Sequence, residues 1–150
     1  LPGFLRGPWP DAGRYWKARL RGAWEELFFI TELERAPVFV SAVADVVAAS
    51  GLSLDCLGHY IQPIENASAA HVEFDFYYDP EDAGDLAAVR AAYLGALDVC
   101  LDLEAHFTRP YHKEVADRVY ERAGSYTALL KRTKEIFDPN GIMNPGKLCF

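Results

Sequence analysis

The sequence predicts an α+β domain: an antiparallel sheet in the ferredoxin-like, split-βαβ order, with helices on one face and further helices at the C-terminus. Three observations predict it. Short apolar or alternating runs at 27–31, 56–63, 71–79 and 105–111 read as strands. Stretches with helical spacing separate the first run from the second and the third from the fourth, giving β-α-β-β-α-β. The chain has 150 residues, 51% hydrophobic and 13% aromatic, enough to fill one core.

Each element has a local reason. Residues 1–11 are rich in Pro and Gly and read as an irregular lead-in. Residues 11–26 predict a helix with Tyr15, Trp16 and Leu20 on one side, so 1–26 precedes a domain spanning 27–150. The run 27–31 (LFFIT) predicts a short buried strand. Residues 36–50 predict a helix, with Pro37 in the first turn and Gly51 just past the end. Its apolar stripe is Val38, Phe39, Ala42, Val43, Val46 and Val47. Residues 56–63 (CLGHYIQP) predict a strand, 64–70 a loop and 71–79 (HVEFDFYYD) the strongest strand. There Val72, Phe74, Phe76 and Tyr78 point one way, and His71, Glu73, Asp75 and Tyr77 the other. Residues 81–104 predict a long helix through Leu86, Val89, Ala92, Tyr93, Ala96, Leu97, Cys100 and Leu101. Residues 105–111 (AHFTRPY) predict the last strand, ended by Pro110. Short helices follow at 112–120 and 125–137, then two turn signals, 138–141 (DPNG) and 144–146 (NPG).

Composition excludes several functions. A net charge of −7 disfavours nucleic acid and anionic lipid as partners. No apolar run approaches the ~20 residues that span a bilayer. Cys56, Cys100 and Cys149 are scattered, without a C-x-x-C pair, so no metal site is expected from them and a reducing cytoplasm fits. The chain opens on Leu1 with no basic-then-apolar leader, which reads as a fragment of something longer or a processed subunit. No G-x-G-x-x-G, phosphate-binding loop or nucleophile elbow is present, so dinucleotide binding by this chain alone is not expected.

The candidate site lies on the polar side of strand 71–79. If 64–70 closes a hairpin, Gln62 faces His71 and Tyr60 faces Glu73. The open face then presents Tyr60, Gln62, His71, Glu73, Asp75 and Tyr77. A solvated antiparallel sheet has the same appearance. Arg109, at the end of the last strand, has the planar fork that clamps a carboxylate or phenolate, or it forms an ordinary surface ion pair. Two residues, His71 and Glu73, do not make a metal site.

The C-terminal stretch 130–148 (LKRTKEIFDPNGIMNPGKL) resembles the closing signature of FAD-linked oxidases of the vanillyl-alcohol oxidase and p-cresol methylhydroxylase superfamily, which also includes enzymes of the glycolate oxidase and D-lactate dehydrogenase type. YIQP with AHVEFDFYYDP resembles the hairpin of that family's cap domain, AHFTRPY its last strand and FFIT its first. The resemblance implies an enzyme in which an FAD-binding domain, in cis or on a separate chain, holds most of the flavin, and in which the cap sheet roofs the flavin ring. This chain alone would be inactive. It further implies hydride transfer to flavin N5 from a small hydroxy acid or a para-substituted phenol or alcohol. His71, Arg109 and Tyr111 are the implied catalytic residues, Tyr60, Gln62 and Glu73 line the substrate, and Asn144 and Lys147 lie near the flavin. The histidine pattern of the hydroxy-acid branch is absent: His59 and His71 stand far apart, and Glu104-Ala105-His106 only loosely echoes its strand. A stand-alone ferredoxin-like module, binding a ligand or partner without flavin, remains the other reading.

Overall fold

The computed structural model describes residues 17–150. The expected lead-in at 1–11 and the 11–16 part of the expected helix lie outside the described residues. Among the described residues, one turn of that helix forms, Ala18–Arg21. Residues 23–26 are strand instead. β1 runs over Ala23–Glu32, because cross-strand pairing with the later hairpin strand carries Trp24, Glu25 and Glu26 into the sheet.

β2 (Leu57–Ile64) and β3 (Ala69–Tyr78) form the expected hairpin, and β3 is also paired antiparallel with β1, so the sheet order is β1-β3-β2. The hairpin tip is tight. Glu65, Asn66 and Ala67 all have positive φ (50°, 55° and 64°), and together they reverse the chain. The expected fourth strand shrinks to one bridge: Ile30 and His106 exchange backbone hydrogen bonds of 2.9 and 3.0 Å. The segment bends at Thr108, where the next pair with β1 would form, and so leaves the β1 edge after this contact. The bridge still falls outside β1, in the place the split-βαβ order assigns to a fourth strand.

Helix α1 (Ala36–Ser50) has Pro37 in its first turn and ends at Gly51 with φ 84°, a left-handed cap that suits glycine. α2 (Ala83–Asp102) starts at Asp82, whose carboxylate accepts from the N–H groups of Gly84 and Asp85 at 2.7 and 3.2 Å. Both pack on one face of the sheet. Phe39 of α1 meets Phe29 with ring centres 4.7 Å apart, and Tyr93 of α2 meets Phe76 at 5.7 Å. Phe29, Phe39, Phe74 and Phe76 are fully buried at the centre of this core. The expected stripes begin slightly too early: Val38 and Leu86, each in the first turn of its helix, are exposed.

α3 (Lys113–Arg122) is tied to α2 by Arg118–Asp98 at 2.6 Å and Arg90–Glu114 at 2.9 Å. α4 (Gly124–Phe137) buries none of its residues. No helix among the described residues is long and apolar enough to cross a membrane.

Candidate active site on the open sheet face

β3 alternates as its sequence demands. Ala70, Val72, Phe74 and Phe76 are buried against the helices, and His71, Glu73, Asp75 and Tyr77 take the opposite side. Gln62 pairs with His71 and Tyr60 with Glu73, the register expected from the hairpin. From β1, Ile30, Phe28, Glu26 and Trp24 stand beside His71, Glu73, Asp75 and Tyr77.

Phe28 organises one half of this face. Its ring lies 5.6 Å from the His71 ring and 5.7 Å from Tyr111, edge-on. The Arg109 guanidinium sits over it, 5.6 Å from the centroid. Tyr60 approaches His71 edge-on at 6.4 Å, and Nε2 of His71 lies 3.5 Å from Glu73 Oε2. His71, Glu73, Tyr60, Arg109 and Tyr111 are therefore one cluster. Gln62 is adjacent by register, opposite His71, and exposed. Asn144 and Lys147 are exposed on the closing turn, and no hydrogen bond, ion pair or ring contact among the described residues joins them to the sheet face.

The other half is ionic. The Lys17 ammonium donates to Glu26 Oε1 (2.8 Å), Glu73 Oε1 (2.6 Å) and Asp75 Oδ1 (2.8 Å). Burial alone would lower the Lys17 pKa, but the hydrogen bonds to Asp75, Glu26 and Glu73 outweigh it and push it up. The carboxylates divide by depth. Asp75, with 6% of its side chain exposed, is pushed up by burial despite Lys17. Glu26, at 37%, is also raised by burial, but the bonds from Lys17 and Trp24 prevail and lower it. Burial pushes the Tyr77 hydroxyl to about 12, and it donates to Asp75 Oδ2 at 3.3 Å. The three carboxylates offer oxygens within 4.8 Å of one another, a spacing a cation requires, and here the ammonium takes that position.

Phe28, Glu26, Trp24 and Lys17 were not among the residues expected at the site. The signal for the first three was present: 24, 26, 28 and 30 alternate with the buried 27, 29 and 31 once β1 is extended upstream. Lys17 has no such periodic signature.

The face is open. A niche of about 30 Å³ beside Arg109 and Tyr111 is bounded by Phe28, Phe107 and His112. That is far below the roughly 300–1,000 Å³ of a small-ligand site. The aromatic surface and Arg109 suit one face of a planar, anionic ring system, but these residues alone cannot enclose one. The larger recesses, about 360 Å³ between β1, α2 and α3 and about 400 Å³ between α3 and the closing segment, do not include His71.

The closing segment has its own internal logic. Asp138 is buried, and its two oxygens accept from the N–H groups of Ile142 (3.0 Å) and Met143 (2.9 Å). Lys134, one helical turn earlier, donates to Asp138 and to the Met143 carbonyl. The lysine bond, then the backbone bonds, hold Asp138 below the usual carboxylate range. Thus Lys-x-x-x-Asp-Pro-Asn-Gly is a folded unit, with Gly141 at φ 62° where the turn requires it. Residues 113–148 match the C-terminal domain of FAD linked oxidases. The matched stretch is about a quarter of the chain. The FAD-linked oxidase match covers α3, α4 and the Asp138 turn, and the sheet lies outside it. No curated protein and no solved structure matches the chain.

Proposed function

We propose that the chain is the substrate-side cap of an FAD-dependent oxidoreductase of the vanillyl-alcohol oxidase type, its open sheet face roofing flavin and substrate. The observation that carries the reading is the convergence of His71, Tyr60, Arg109 and Tyr111 around Phe28, in a chain whose last helices match FAD-linked oxidases. An aromatic floor flanked by a guanidinium and a phenol suits a small substrate bearing a carboxylate or a phenolate. That covers a hydroxy acid of the lactate or glycolate type and a para-substituted phenol or alcohol.

The bound flavin supplies hydride acceptance at N5. This chain's residues do the remainder. Arg109 orients the substrate anion through its fork and stabilises negative charge that develops there. Tyr111 and Tyr60, both largely exposed, donate hydrogen bonds from opposite sides of the cluster. Gln62 and Glu73 line the substrate beside His71. His71, with Glu73 beside its Nε2, is the group placed to accept the substrate's proton.

The remaining wall of the chamber, most of the flavin contact, and therefore activity itself, come from an FAD-binding domain in cis or on another chain. Its docking surface is the apolar one around the closing segment. Ile136 and Phe137 are 75% and 78% exposed, and Ile142 and Met143 extend the same exposed stretch. Patches of this kind mark contact sites. Asn144 and Lys147, on the turn beside that patch, would meet the cofactor only from across this interface. The test is purification of the native protein with whatever segment or subunit is stably joined to this chain. Yellow protein with about one FAD per chain and substrate-dependent bleaching supports the proposal; colourless protein that gains no flavin on incubation with FAD contradicts it.

A further inference from the structure

Lys17 belongs to neither strand of the site, yet it is the one cation within its ionic half among the described residues. It arrives on the segment before β1 and is 6% exposed. A lysine ammonium offers three donors, and here three carboxylates from two strands surround it at 2.6–2.8 Å. A cation this deep persists only when paired and hydrogen-bonded. The bonds also choose between oxygens. On Glu73 the ammonium holds Oε1, which leaves Oε2 turned towards His71 Nε2 at 3.5 Å.

We propose that Lys17 is a positioning residue: by fixing Glu73 it sets which way the His71 imidazole faces on the open sheet surface. The meaning of this for catalysis rests on the oxidoreductase reading above, but the linkage itself does not. Every group facing His71 enters the prediction. Glu73 is on its own strand. Tyr60 and Gln62 come from β2. Phe28 and Glu26 come from β1. Arg109 and Tyr111 lie beyond the Phe28 ring. Lys17 holds Glu73 Oε1, so without it Glu73 is no longer fixed and Oε2 loses its set position beside His71 Nε2. Replacing Glu73 by glutamine removes the link itself.

The experiment is NMR of the His71 ring in the full chain, native and as K17M, K17R and E73Q, read as NOE contacts of the imidazole hydrogens with the Phe28 and Tyr60 rings, whose centroids lie 5.6 and 6.4 Å away. We expect K17M and E73Q to lose or redistribute these contacts. K17R, which keeps the charge and the donors, should retain the native pattern. An unchanged contact pattern in folded K17M and in E73Q overturns the proposal. If K17M does not fold, E73Q decides, because an unmoved His71 ring there means that no relay through Glu73 exists. In the complete flavoprotein, the rate of flavin reduction is followed alongside. If the His71 ring turns while that rate does not change, Lys17 keeps its positioning role and the assignment of His71 to proton transfer fails.

Discussion

Gly95 sits on α2 where it crosses α1, and replacing it with alanine sets two effects of opposite sign against each other. Alanine is the better helix former by about 1 kcal/mol, so an exposed glycine replaced in this way would stabilise the domain. Here the added Cβ lands 2.8 Å from Cγ1 of Val46. Optimal carbon–carbon contact is about 3.5–4.0 Å, so one atom must yield by nearly an ångström. Val46 cannot swing aside, because a β-branched side chain on a helix keeps essentially one χ1 rotamer. Either the helices separate or the rotamer is strained, and overpacking of this kind costs about 1–3 kcal/mol. The cost matches or exceeds the propensity gain, so Gly95→Ala should lose up to about 2 kcal/mol net. Urea denaturation would report this as a lower midpoint at unchanged slope. The double variant Val46→Ala/Gly95→Ala should recover part of the loss relative to the sum of the single changes, since contacting positions are not additive. A Gly95→Ala protein that is more stable by about 1 kcal/mol would refute the reasoning, for it would show no close approach of the two helices at that point.

Further outcomes follow from single features. Ala67 holds φ 64° at the hairpin tip, so Ala67→Gly should stabilise by about 0.5–1 kcal/mol, seen as a raised melting temperature; a loss would mean that the tip does not adopt this conformation. Tyr93 is pushed up to about 12, by burial first and then by Glu25. Its folded pKa is above the unfolded value of about 10, so its contribution is fully present below pH ~10 and disappears as pH climbs through ~12. The total is about 2–3 kcal/mol, and Tyr93→Phe should flatten the stability–pH curve over that interval; identical slopes would contradict it. Asp138 has the opposite sign. Its folded pKa is depressed, by Lys134 first, so its contribution is present above the unfolded pKa of about 3.9 and disappears as pH falls through the folded value. Amide exchange at Ile142 and Met143 should accelerate in that acid range, and Asp138→Asn should remove the pH dependence.

β3 was legible because an amphipathic strand states both faces in its own alternation, and the hairpin length then settles its partner in β2. The ends of α1 were legible because Pro37 and Gly51 act through local backbone geometry. β1 was half hidden. LFFIT reads as buried on both sides, whereas Phe28 faces the site and Phe29 the core, and the charged residues before it gave the run a helical look. The span of 23–26 is decided by pairing with β3, which no local pattern encodes. The last strand failed for a converse reason: its composition is strand-like, but the chain turns at Glu104 (φ 63°) and bends at Thr108, which leaves only the His106 bridge between them. Of the expected site residues, those carried on recognisable strands or on the RPY segment converge in space. Lys17 was not expected, because its partners are 9 to 58 residues away in sequence and a lone lysine has no periodic signature. The pairing of Asn144 and Lys147 with the flavin side came from family likeness alone, and among the described residues no hydrogen bond, ion pair or ring contact connects them to the sheet.

The central claim is that the open sheet face, with Arg109 over Phe28, is the roof of the reaction chamber. It is tested most directly by anaerobic single-turnover flavin reduction in the complete protein carrying Arg109→Met. We predict normal flavin content and an unchanged melting temperature, with flavin reduction by substrate slowed about 10²–10³-fold. Reduction at the native rate, with flavin fully bound, would place the chemistry elsewhere and contradict the account.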